Sequence, residues 1–387
     1  MFKVMWQFFL LGLYSFGGPA AHIGYFQREF VQNKKWLTDQ DFTHAVALCQ
    51  FLPGPASSQL GMFIGYKKAG YIGAICAFIG FTFPSFLLLT FLAIGNQQYN
   101  DVAIIDTVIQ AAKLLAVVVV ADALWGMAKK NLTNGLTAAT AVLSGIAVFL
   151  SSGLLGQIAP IIVAAVVGFI ISNRQSASKS TSDVSQAIKP NWIILISFAV
   201  LLIGMPLLAS SSEFFNLFNV FYQAGSFVFG GGHVVLPLLE PMLEGMVEPD
   251  TFISAYASAQ LVPGPMFTMA SYLGASAIAD SPILGSFVAT IAVFLPGSLL
   301  LFAFLPAWNA LFSNQKLKAS ILLVNASVVG LLASAFINPV LITSIHSVFD
   351  VIAVAVGFYL LKYKQCPVWL LIIGFAVYQF AVYQFAV

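Results

Sequence analysis

The chain has 387 residues, of which 60% are hydrophobic and only 8% are charged, and its mean hydropathy is +0.94. Soluble proteins carry about 25% charged residues, so this composition excludes a water-soluble globule. The apolar runs, such as residues 114–121, lack the polar alternation of a membrane β-barrel. The chain is therefore predicted to be an all-α polytopic membrane protein, with the lipid bilayer as its surroundings.

Two kinds of ligand are not expected. The net charge is +2 and no basic patch or DNA-binding motif is present, so we expect no nucleic-acid partner. Cys49, Cys76 and Cys366 lie in or beside apolar segments without the spacing of metal ligands, and the four histidines are scattered. We therefore expect no metal site and no cofactor. We also expect no enzymatic activity, because a membrane enzyme would require a cluster of such side chains.

The chain opens with two segments that glycine and proline interrupt. The first runs from residue 3 to residue 28 and is broken at residues 17–19, and the second runs from residue 41 to residue 65 with Pro-Gly-Pro at 53–55. About 11 residues on each side of the second break give roughly 16 Å of helix, which reaches only the middle of a bilayer. Because proline ends a helical ladder and glycine permits a reversal, both segments are predicted to be re-entrant hairpins. Full crossings at these breaks are the alternative.

Longer apolar segments follow in chain order and are predicted to cross the membrane. In the first half they are residues 71–94, 103–128, 132–150 and 154–172. A polar linker at 172–191 precedes an additional span at 192–209. In the second half the predicted spans are 283–305, 317–336, 340–361 and 367–387.

An internal repeat relates the two halves. Three motifs recur in the same order and at nearly the same spacing: Ser-Phe-Gly-Gly-Pro (15–19) as Val-Phe-Gly-Gly-Gly (228–232), Gln-Phe-Leu-Pro-Gly-Pro (50–55) as Gln-Leu-Val-Pro-Gly-Pro (260–265), and Phe-Pro-Ser (83–85) as Leu-Pro-Gly (295–297). The recurrence predicts a first repeat over 1–172, a linker with one span over 173–213, and a second repeat over 214–387.

Loop charges predict that the repeats have opposite orientations. The loops after the first two motifs carry Arg28, Lys34, Lys35, Lys67 and Lys68 in the first half. The equivalent loops of the second half carry Glu240, Glu244, Glu248, Asp250 and Asp280. Lysine and arginine favour the cytoplasmic side, so the two halves are predicted to form an inverted repeat.

These motifs carry a family resemblance. The Phe-Gly-Gly-Pro stretch, the Gln-Phe-Leu-Pro-Gly-Pro stretch and the later Gly-Phe-Thr-Phe-Pro-Ser stretch resemble those of the chromate ion transporter family, whose long members contain two homologous halves. The resemblance covers nearly the whole chain and implies a plasma-membrane protein that exports chromate, an oxyanion whose transport has been connected with sulfate. The second half departs from the first at Gly232 and Val262, which take the places of Pro19 and Leu52.

The broken helices also suit an oxyanion on chemical grounds. A dianion away from water needs several hydrogen-bond donors and a positive potential, and the N-termini of half-helices supply both. Polar residues follow each Pro-Gly-Pro break, and a glutamine precedes each. The alternative is that glycine and proline here serve only packing and kinks. The predicted substrate-binding residues are Gly17, Gly18, Gln50, Pro53, Gly54, Pro55, Ser57, Ser58, Lys113, Gly230, Gly231, Gln260, Pro263, Gly264, Pro265 and Thr268.

Ionisable residues near the apolar runs have two interpretations each. Lys113 either faces protein, water or a bound anion, or extends toward the nearer membrane surface. Asp122 serves proton coupling or approaches the basic end of its helix. Arg28 and Glu29 either gate the first hairpin or form local surface pairs. His22, after the first glycine motif, is expected to be a hydrogen-bonded helix residue.

The sequence thus predicts a secondary transporter that moves chromate through a central site built by hairpins of both halves. Sulfate is a further candidate substrate of the same site. An anion channel, or a carrier for another small anion such as sulfate, is the alternative, and counterflow of labelled anion separates channel from carrier. A proton or a counter-anion is the candidate coupling ion. The oligomeric state is left open by the sequence.

Overall fold

The computed structural model describes residues 1–16, 18–98, 103–151, 154–176, 189–229, 235–307 and 315–386. All regular structure in these ranges is helical, which confirms the predicted all-α class. The helices of the first repeat are α1 (Phe2–Tyr14), α2 (Gly18–Phe26), a π-helical turn (Gln27–Asn33), α3 (Asp39–Phe51), α4 (Ala56–Gln98), α5 (Ala103–Asn131), α6 (Gly135–Leu150) and α7 (Leu154–Ser176).

The second repeat contains the same series after one additional helix. That helix is α8 (Trp192–Leu208), which continues into a 3-10 turn (Ala209–Ser211). The series then comprises α9 (Glu213–Phe227), α10 (Val235–Leu239), α11 (Pro249–Leu261), a 3-10 turn (Met266–Thr268), α12 (Met269–Ala277), α13 (Pro282–Phe304), a 3-10 turn (Leu305–Ala307), α14 (Gln315–Ala335), a π-helical turn (Phe336–Leu341), α15 (Ile342–Ser344), α16 (Val348–Lys364) and α17 (Val368–Ala386).

Helix α4 is two helices joined at a sharp bend. Ala69 and Gly70 have non-helical dihedral angles, and Gly70 has a φ of +64°. The backbones of Gly65 and Gly73 are in close contact, because a Cβ on Gly65 would lie 2.3 Å from the carbonyl oxygen of Gly73. The chain therefore reverses at residues 69–70, and residues 71–98 run back alongside residues 56–68.

The first Pro-Gly-Pro segment accordingly folds as a hairpin. Helix α3 has 13 residues, about 20 Å of rise, and Thr38 caps its N-terminus by accepting from the Asp41 N–H. Lys67, at the end of the returning arm, lies 3.9 Å from Asp41 at the start of the outgoing arm. Both ends of the segment thus lie together at the base of the hairpin, as the re-entrant prediction requires, and the Pro-Gly-Pro break is at its tip.

The second hairpin enters from the opposite end of the protein. It consists of α11 and α12, and the contact between Gly274 and Gly285 at its base repeats the contact of the first hairpin. The far end of α4 reaches this base, where the Asn96 amide donates to the Tyr272 hydroxyl at 3.0 Å. Helix α13 runs the other way and brings Phe302 to 5.6 Å from Tyr66, ring to ring, at the base of the first hairpin. The two repeats are therefore inverted.

The opening segment also folds back on itself. The Phe8 ring in α1 lies 5.5 Å from the Phe26 ring and 4.7 Å from the Phe30 ring. These contacts pack α2 and the π-helical turn against α1, so the chain reverses after α1 ends at Tyr14 and before α2 begins at Gly18. Gly17 lies outside the described residues. The predicted break at this glycine motif is confirmed.

The two repeats interlock through their later helices. Helices α6 and α7 of the first repeat pack on α14 of the second, and α16 and α17 pack on α5. Small residues permit the close approach: a Cβ on Gly330 would lie 2.0 Å from the Ala141 carbonyl oxygen, and the Ser327 hydroxyl donates to the Ser144 hydroxyl at 2.8 Å. The division of the chain into two repeats with a linker at residues 173–213 stays a prediction. The packing of these helices joins the two repeats into one body.

Five helical stretches among the described residues are long and apolar enough to cross a membrane. They are Ala56–Gln97, Ile109–Asn131, Trp192–Ser211, Pro282–Ala307 and Ala319–Ser344, and the first of them includes the bend at Gly70. Helices α6 and α16 are shorter, with 16 and 17 residues. The span predicted at 340–361 is interrupted, because Ser347 caps α16 together with Asp350 and the helix begins only at Val348.

Candidate functional site

The tips of the two hairpins cross at the centre of the protein. The N–H of Gly54, at the first tip, donates to the Val228 carbonyl oxygen at 2.7 Å. The N–H of Gly264, at the second tip, donates to the Ser15 carbonyl oxygen at 3.0 Å. Ser15 and Val228 hold the same position in the repeated glycine motif, so each tip is bound to the glycine motif of the other repeat.

The third repeated motif completes the crossing. Gly54 has a φ of +115°, and a Cβ there would lie 2.8 Å from the Cα of Gly297 in the middle of α13. Gly264 has a φ of +107°, and a Cβ there would lie 2.9 Å from the Ser85 Oγ in the middle of α4. Since side chains disfavour both the dihedral angle and the space, glycine is required at both tips. The structure thus brings all three predicted motifs to one place.

Gln59 joins the first tip to the second repeat. Its Nε2 donates to the Pro53 carbonyl oxygen at 3.0 Å and to the Gly297 carbonyl oxygen at 2.8 Å. Within the described ranges, its buried Oε1 has no hydrogen-bond partner, and the buried hydroxyl of Ser58 next to it in sequence has none either. Ser57 is buried at the same helix start. The first N–H groups of this returning helix have no carbonyl within the helix to receive them, so the tip presents both side-chain and backbone donors.

Three further polar side chains of the first repeat surround the crossing. His22 in α2 is fully buried, and its Nε2–H donates to the Ser15 carbonyl oxygen at 3.2 Å. Its ring packs edge-on against the Phe81 ring at 5.2 Å. The Nδ1 of His22 and the hydroxyls of Ser15 and Thr82 are buried, and the described residues offer them no hydrogen-bond partner. Buried polar atoms without partners are rare in proteins and call for an explanation such as a bound ligand or water.

The hydroxyl groups that follow the second tip are bonded to nearby backbone carbonyls. The Thr268 hydroxyl donates to the Pro265 carbonyl oxygen, and the Ser271 hydroxyl donates to the Thr268 carbonyl oxygen at 2.8 Å. Ser286 in α13 donates to the Ser271 carbonyl oxygen at 2.7 Å. The Gln260 amide contacts the Met266 sulfur at 3.2 Å. The site is therefore asymmetric, and most of its free hydrogen-bonding capacity belongs to the first repeat.

The predicted motif residues fall into three groups. At the first tip and helix start lie Pro53, Gly54, Pro55, Ser57 and Ser58, and at the second lie Pro263, Gly264, Pro265 and Thr268. Gln50 is exposed on α3, one turn before the break, and Gly18 begins α2 with a φ of +74°. Gly17, Gly230 and Gly231 lie outside the described residues.

Lys113 and Asp122 do not lie at the crossing and instead form ion pairs with the second repeat. Lys113 in α5 is buried, and its Nζ contacts the Asp250 carboxylate at the start of α11. Asp122, further along α5, accepts from Lys362 of α16 at 2.6 Å. Lys113 therefore faces protein, which is one of the surroundings that the sequence offered for it, and its role toward a bound anion stays a prediction.

Arg28 and Glu29 lie on the π-helical turn at the surface. Glu29 pairs with Lys34 at 3.2 Å and also accepts from the Asn33 amide at 3.1 Å. Arg28 is exposed. The structure thus contains the local pairing that the sequence offered as one interpretation of Glu29, whereas a gating role for either residue stays a prediction.

Sequence reasoning missed Ser15, Thr82 and the free Nδ1 of His22. It did anticipate that His22 is hydrogen-bonded within its helix region, and the bond to Ser15 confirms this. Two signals could have found the site: Ser15 is the first residue of the first glycine motif, and Thr82 stands three residues before Ser85, which belongs to the third motif. Within the described ranges, no group of three or more histidine, cysteine, aspartate or glutamate side chains is placed to hold a metal ion.

Two inverted repeats with broken helices that meet at a central polar site define an inverted-repeat membrane protein of the transporter kind. The sequence comparisons give the family. Residues 2–172 and 215–380 match the profile of the family described as Chromate transporter, and the chain belongs to this family.

Full-length relatives agree with this assignment. The chain is 27% identical to a protein of Cupriavidus metallidurans named chromate transport protein, over 97% of this chain and 91% of that protein. It is 28% identical to the uncharacterized transporter MJ0718 of Methanocaldococcus jannaschii, over 94% and 90%. It is 25% identical to the probable chromate transport protein of Synechococcus elongatus, over 87% and 84%. No solved structure matches the chain at a significant level.

Proposed function

We propose that this protein is a secondary transporter that exports chromate across the plasma membrane by alternating access, with the oxyanion bound where the hairpin tips cross. One observation carries the proposal. At the crossing, the buried hydroxyls of Ser15, Ser58 and Thr82 have no hydrogen-bond partner among the described residues, and Ser58 lies at the start of a returning half-helix. A tetrahedral dianion is a ligand that would use hydroxyl donors and helix N-terminal N–H groups together.

The donors of the site suit any tetrahedral dianion and do not select one such anion over another. Hydroxyl groups rotate to meet an acceptor, and the N–H groups of the first helical turn supply a positive potential. Chromate and sulfate have the same charge and the same shape. We therefore propose that the site accepts both anions, with sulfate as a competing ligand.

The environments of the two hairpins support alternating access. Helix α11 is buried from Phe252 to Ala257, whereas the equivalent helix α3 exposes Thr43, His44 and Gln50. The two hairpins are related by the repeat but are covered to different extents. In an inverted repeat, exchange of these two environments would move the opening of the site from one side of the membrane to the other.

The base of the first hairpin offers a candidate entrance. A cavity of about 340 Å³ lies there, lined in part by Asp41, His44, Tyr66 and Lys67, and Lys67 lies 3.9 Å from Asp41. Lysine-rich loops favour the cytoplasmic side, so we propose that chromate enters at this base from the cytoplasm.

Counterflow in proteoliposomes tests the proposal. Vesicles that contain the full chain and are loaded with unlabelled chromate should take up labelled chromate from outside transiently and above equilibrium, because a carrier exchanges one bound anion for another. Vesicles without protein should show none of this uptake. Uptake that only follows the chromate gradient, with no counterflow, would favour an anion channel, and no chromate movement at all would overturn the proposal.

A further inference from the structure

His22 has one hydrogen-bonding position that the protein leaves open. The side chain is fully buried, and its Nε2–H is used by the Ser15 carbonyl oxygen. Its Nδ1 is buried and has no hydrogen-bond partner among the described residues. In neutral imidazole with a proton on Nε2, Nδ1 is an acceptor, and when a second proton binds it becomes a donor. The open position is therefore one at which a proton can be gained or lost without breaking the bond to Ser15.

The bond from Nε2 to Ser15 places the His22 ring beside the crossing. The Ser15 carbonyl oxygen that accepts from His22 also accepts from the Gly264 N–H at the tip of the second hairpin. The hydroxyl of the same Ser15 is one of the buried groups without a partner. A ligand that reaches the Ser15 hydroxyl would therefore lie next to the ring of His22.

In the described part of the chain, no charged group contacts the His22 ring to stabilise its protonated form. The elements packed against α2 are α1, α4 and the π-helical turn. Besides His22, the titratable or charged groups of these four elements are Lys3, Tyr14, Tyr25, Arg28, Glu29, Tyr66, Lys67, Lys68, Tyr71 and Cys76. Glu29 is paired with Lys34, and the described hydrogen bonds of the ring include only Ser15. A charged imidazolium in this apolar setting would be costly unless an anion were bound beside it.

We propose that His22 is the proton-binding residue of the central site, and that one proton on its Nδ1 accompanies each bound oxyanion. The inference rests on the proposed function. The anion stabilises the imidazolium, and the imidazolium donates a charge-assisted hydrogen bond to the anion. Proton and dianion then cross together, and the proton leaves Nδ1 when the anion leaves, so the bound complex carries one negative charge fewer than the anion alone.

Proton uptake on anion binding tests this directly with the purified full chain. Sulfate is the probe, because it keeps its double charge near neutral pH and any proton taken up belongs to the protein. The solution is weakly buffered, and its pH lies slightly above the range in which histidine side chains ordinarily titrate. Under these conditions about one proton should be taken up per sulfate bound. Sulfate affinity should fall about tenfold per pH unit in that range.

The variant His22→Gln removes the proton site and keeps an N–H that can donate toward Ser15. It should bind sulfate more weakly at acidic pH, with an affinity that no longer depends on pH and with no proton uptake. His346→Gln is the matched control, because His346 is exposed and lies at the start of α16, away from the crossing; it should behave as the wild type does.

The outcomes separate the two proposals. Sulfate or chromate binding by the wild type without proton uptake would overturn the role of His22 and leave the proposed function intact, and this measurement needs no variant. Unchanged proton uptake in a folded His22→Gln variant would also overturn it. A wild type that binds neither anion would overturn the proposed function together with this inference.

Discussion

Lys113 and Asp250 form an ion pair that joins α5 of the first repeat to the start of the second hairpin. The two partners have very different surroundings, because the Lys113 side chain is 2% exposed and the Asp250 side chain is 60% exposed. Loss of either partner leaves the other without its counter-charge. The residue that remains decides how much this destabilises the protein.

We expect Asp250→Asn to destabilise the protein more than Lys113→Gln does. The first variant leaves a buried ammonium without a partner, which costs about 3–5 kcal/mol, whereas the second leaves a carboxylate that water can reach. Thermal unfolding in detergent would rank the two variants, and the double variant should lose less than the sum of both. Equal losses in the two single variants would contradict the importance of burial here.

The anion-binding role of Lys113 is tested separately on the same variants. If Lys113 helps to neutralise a bound dianion, Lys113→Gln should weaken chromate binding and Lys113→Arg should retain part of it. Chromate affinity of the folded variants is the measurement. Unchanged affinity in Lys113→Gln would leave the ion pair with Asp250 as the function of this lysine.

The hairpin tips should not tolerate side chains. Gly264→Ala would place a Cβ at 2.9 Å from the Ser85 Oγ with a φ of +107°, a strain of about 1–3 kcal/mol. Ser85→Gly removes the clash and installs the residue that the second repeat has at Gly297, so the double variant should recover part of the lost stability. Gly54→Ala meets backbone at Gly297, so no side-chain substitution there should rescue it. Melting temperatures of the four variants check this, and full stability of Gly264→Ala would contradict the crowded crossing.

The inverted hairpins define the accessibility of four loop positions. Single cysteines at 34, 67, 248 and 280, in a background without Cys49, Cys76 and Cys366, would be treated with an impermeant thiol reagent in intact cells. Positions 248 and 280 should react, and positions 34 and 67 should react only after the cells are permeabilised. The reason is that both ends of each hairpin share a side of the membrane. Reaction of 34 and 248 from the same side would refute the inversion, and opposite sides for 34 and 67 would refute the first hairpin.

Sulfate should compete with chromate, and nitrate should not. A site built mainly from hydroxyl and backbone N–H donors distinguishes two tetrahedral dianions weakly, whereas nitrate is planar and carries a single charge. Inhibition of labelled chromate uptake by an excess of each anion is the measurement. Chromate uptake that a large excess of sulfate leaves unchanged would contradict this view of the site.

Glu240 should make stability depend on pH. It lies in the loop after α10 beside a cavity of about 380 Å³, and burial, followed by the nearby charge of Glu244, raises the pKa of its carboxyl group. Folding therefore favours the protonated form, and the stability this contributes is present at low pH and is lost as pH rises through the raised pKa. Glu240→Gln should raise the melting temperature slightly at neutral pH and leave it unchanged well below pH 4.5, the ordinary pKa of this side chain. An equal effect at both pH values would rule out the ionisation of Glu240 as its cause.

Much of the architecture follows from the sequence alone. Apolar run length decides which segments can span a bilayer, and recurrence of the three motifs reveals the repeat. The lysines around Lys34 and Lys67, set against Glu248 and Asp280, indicate the inversion, because loop charge is read segment by segment. The Pro-Gly-Pro breaks at Gly54 and Gly264 mark the hairpin tips for an equally local reason, since proline and glycine act on their own stretch of backbone.

Only the tertiary structure decided which groups meet. The hairpin tips exchange contacts with the opposite glycine motifs, and Lys113 pairs with Asp250, so both arrangements join residues far apart in the chain. The burial of His22 and its Nδ1 likewise depends on packing against Phe81 of another helix. Apolar faces in lipid do not specify their partners by hydrophobicity, because lipid tails are as apolar as the side chains. Shape, small residues and hydrogen bonds select the partners instead, and these act only once the helices are packed.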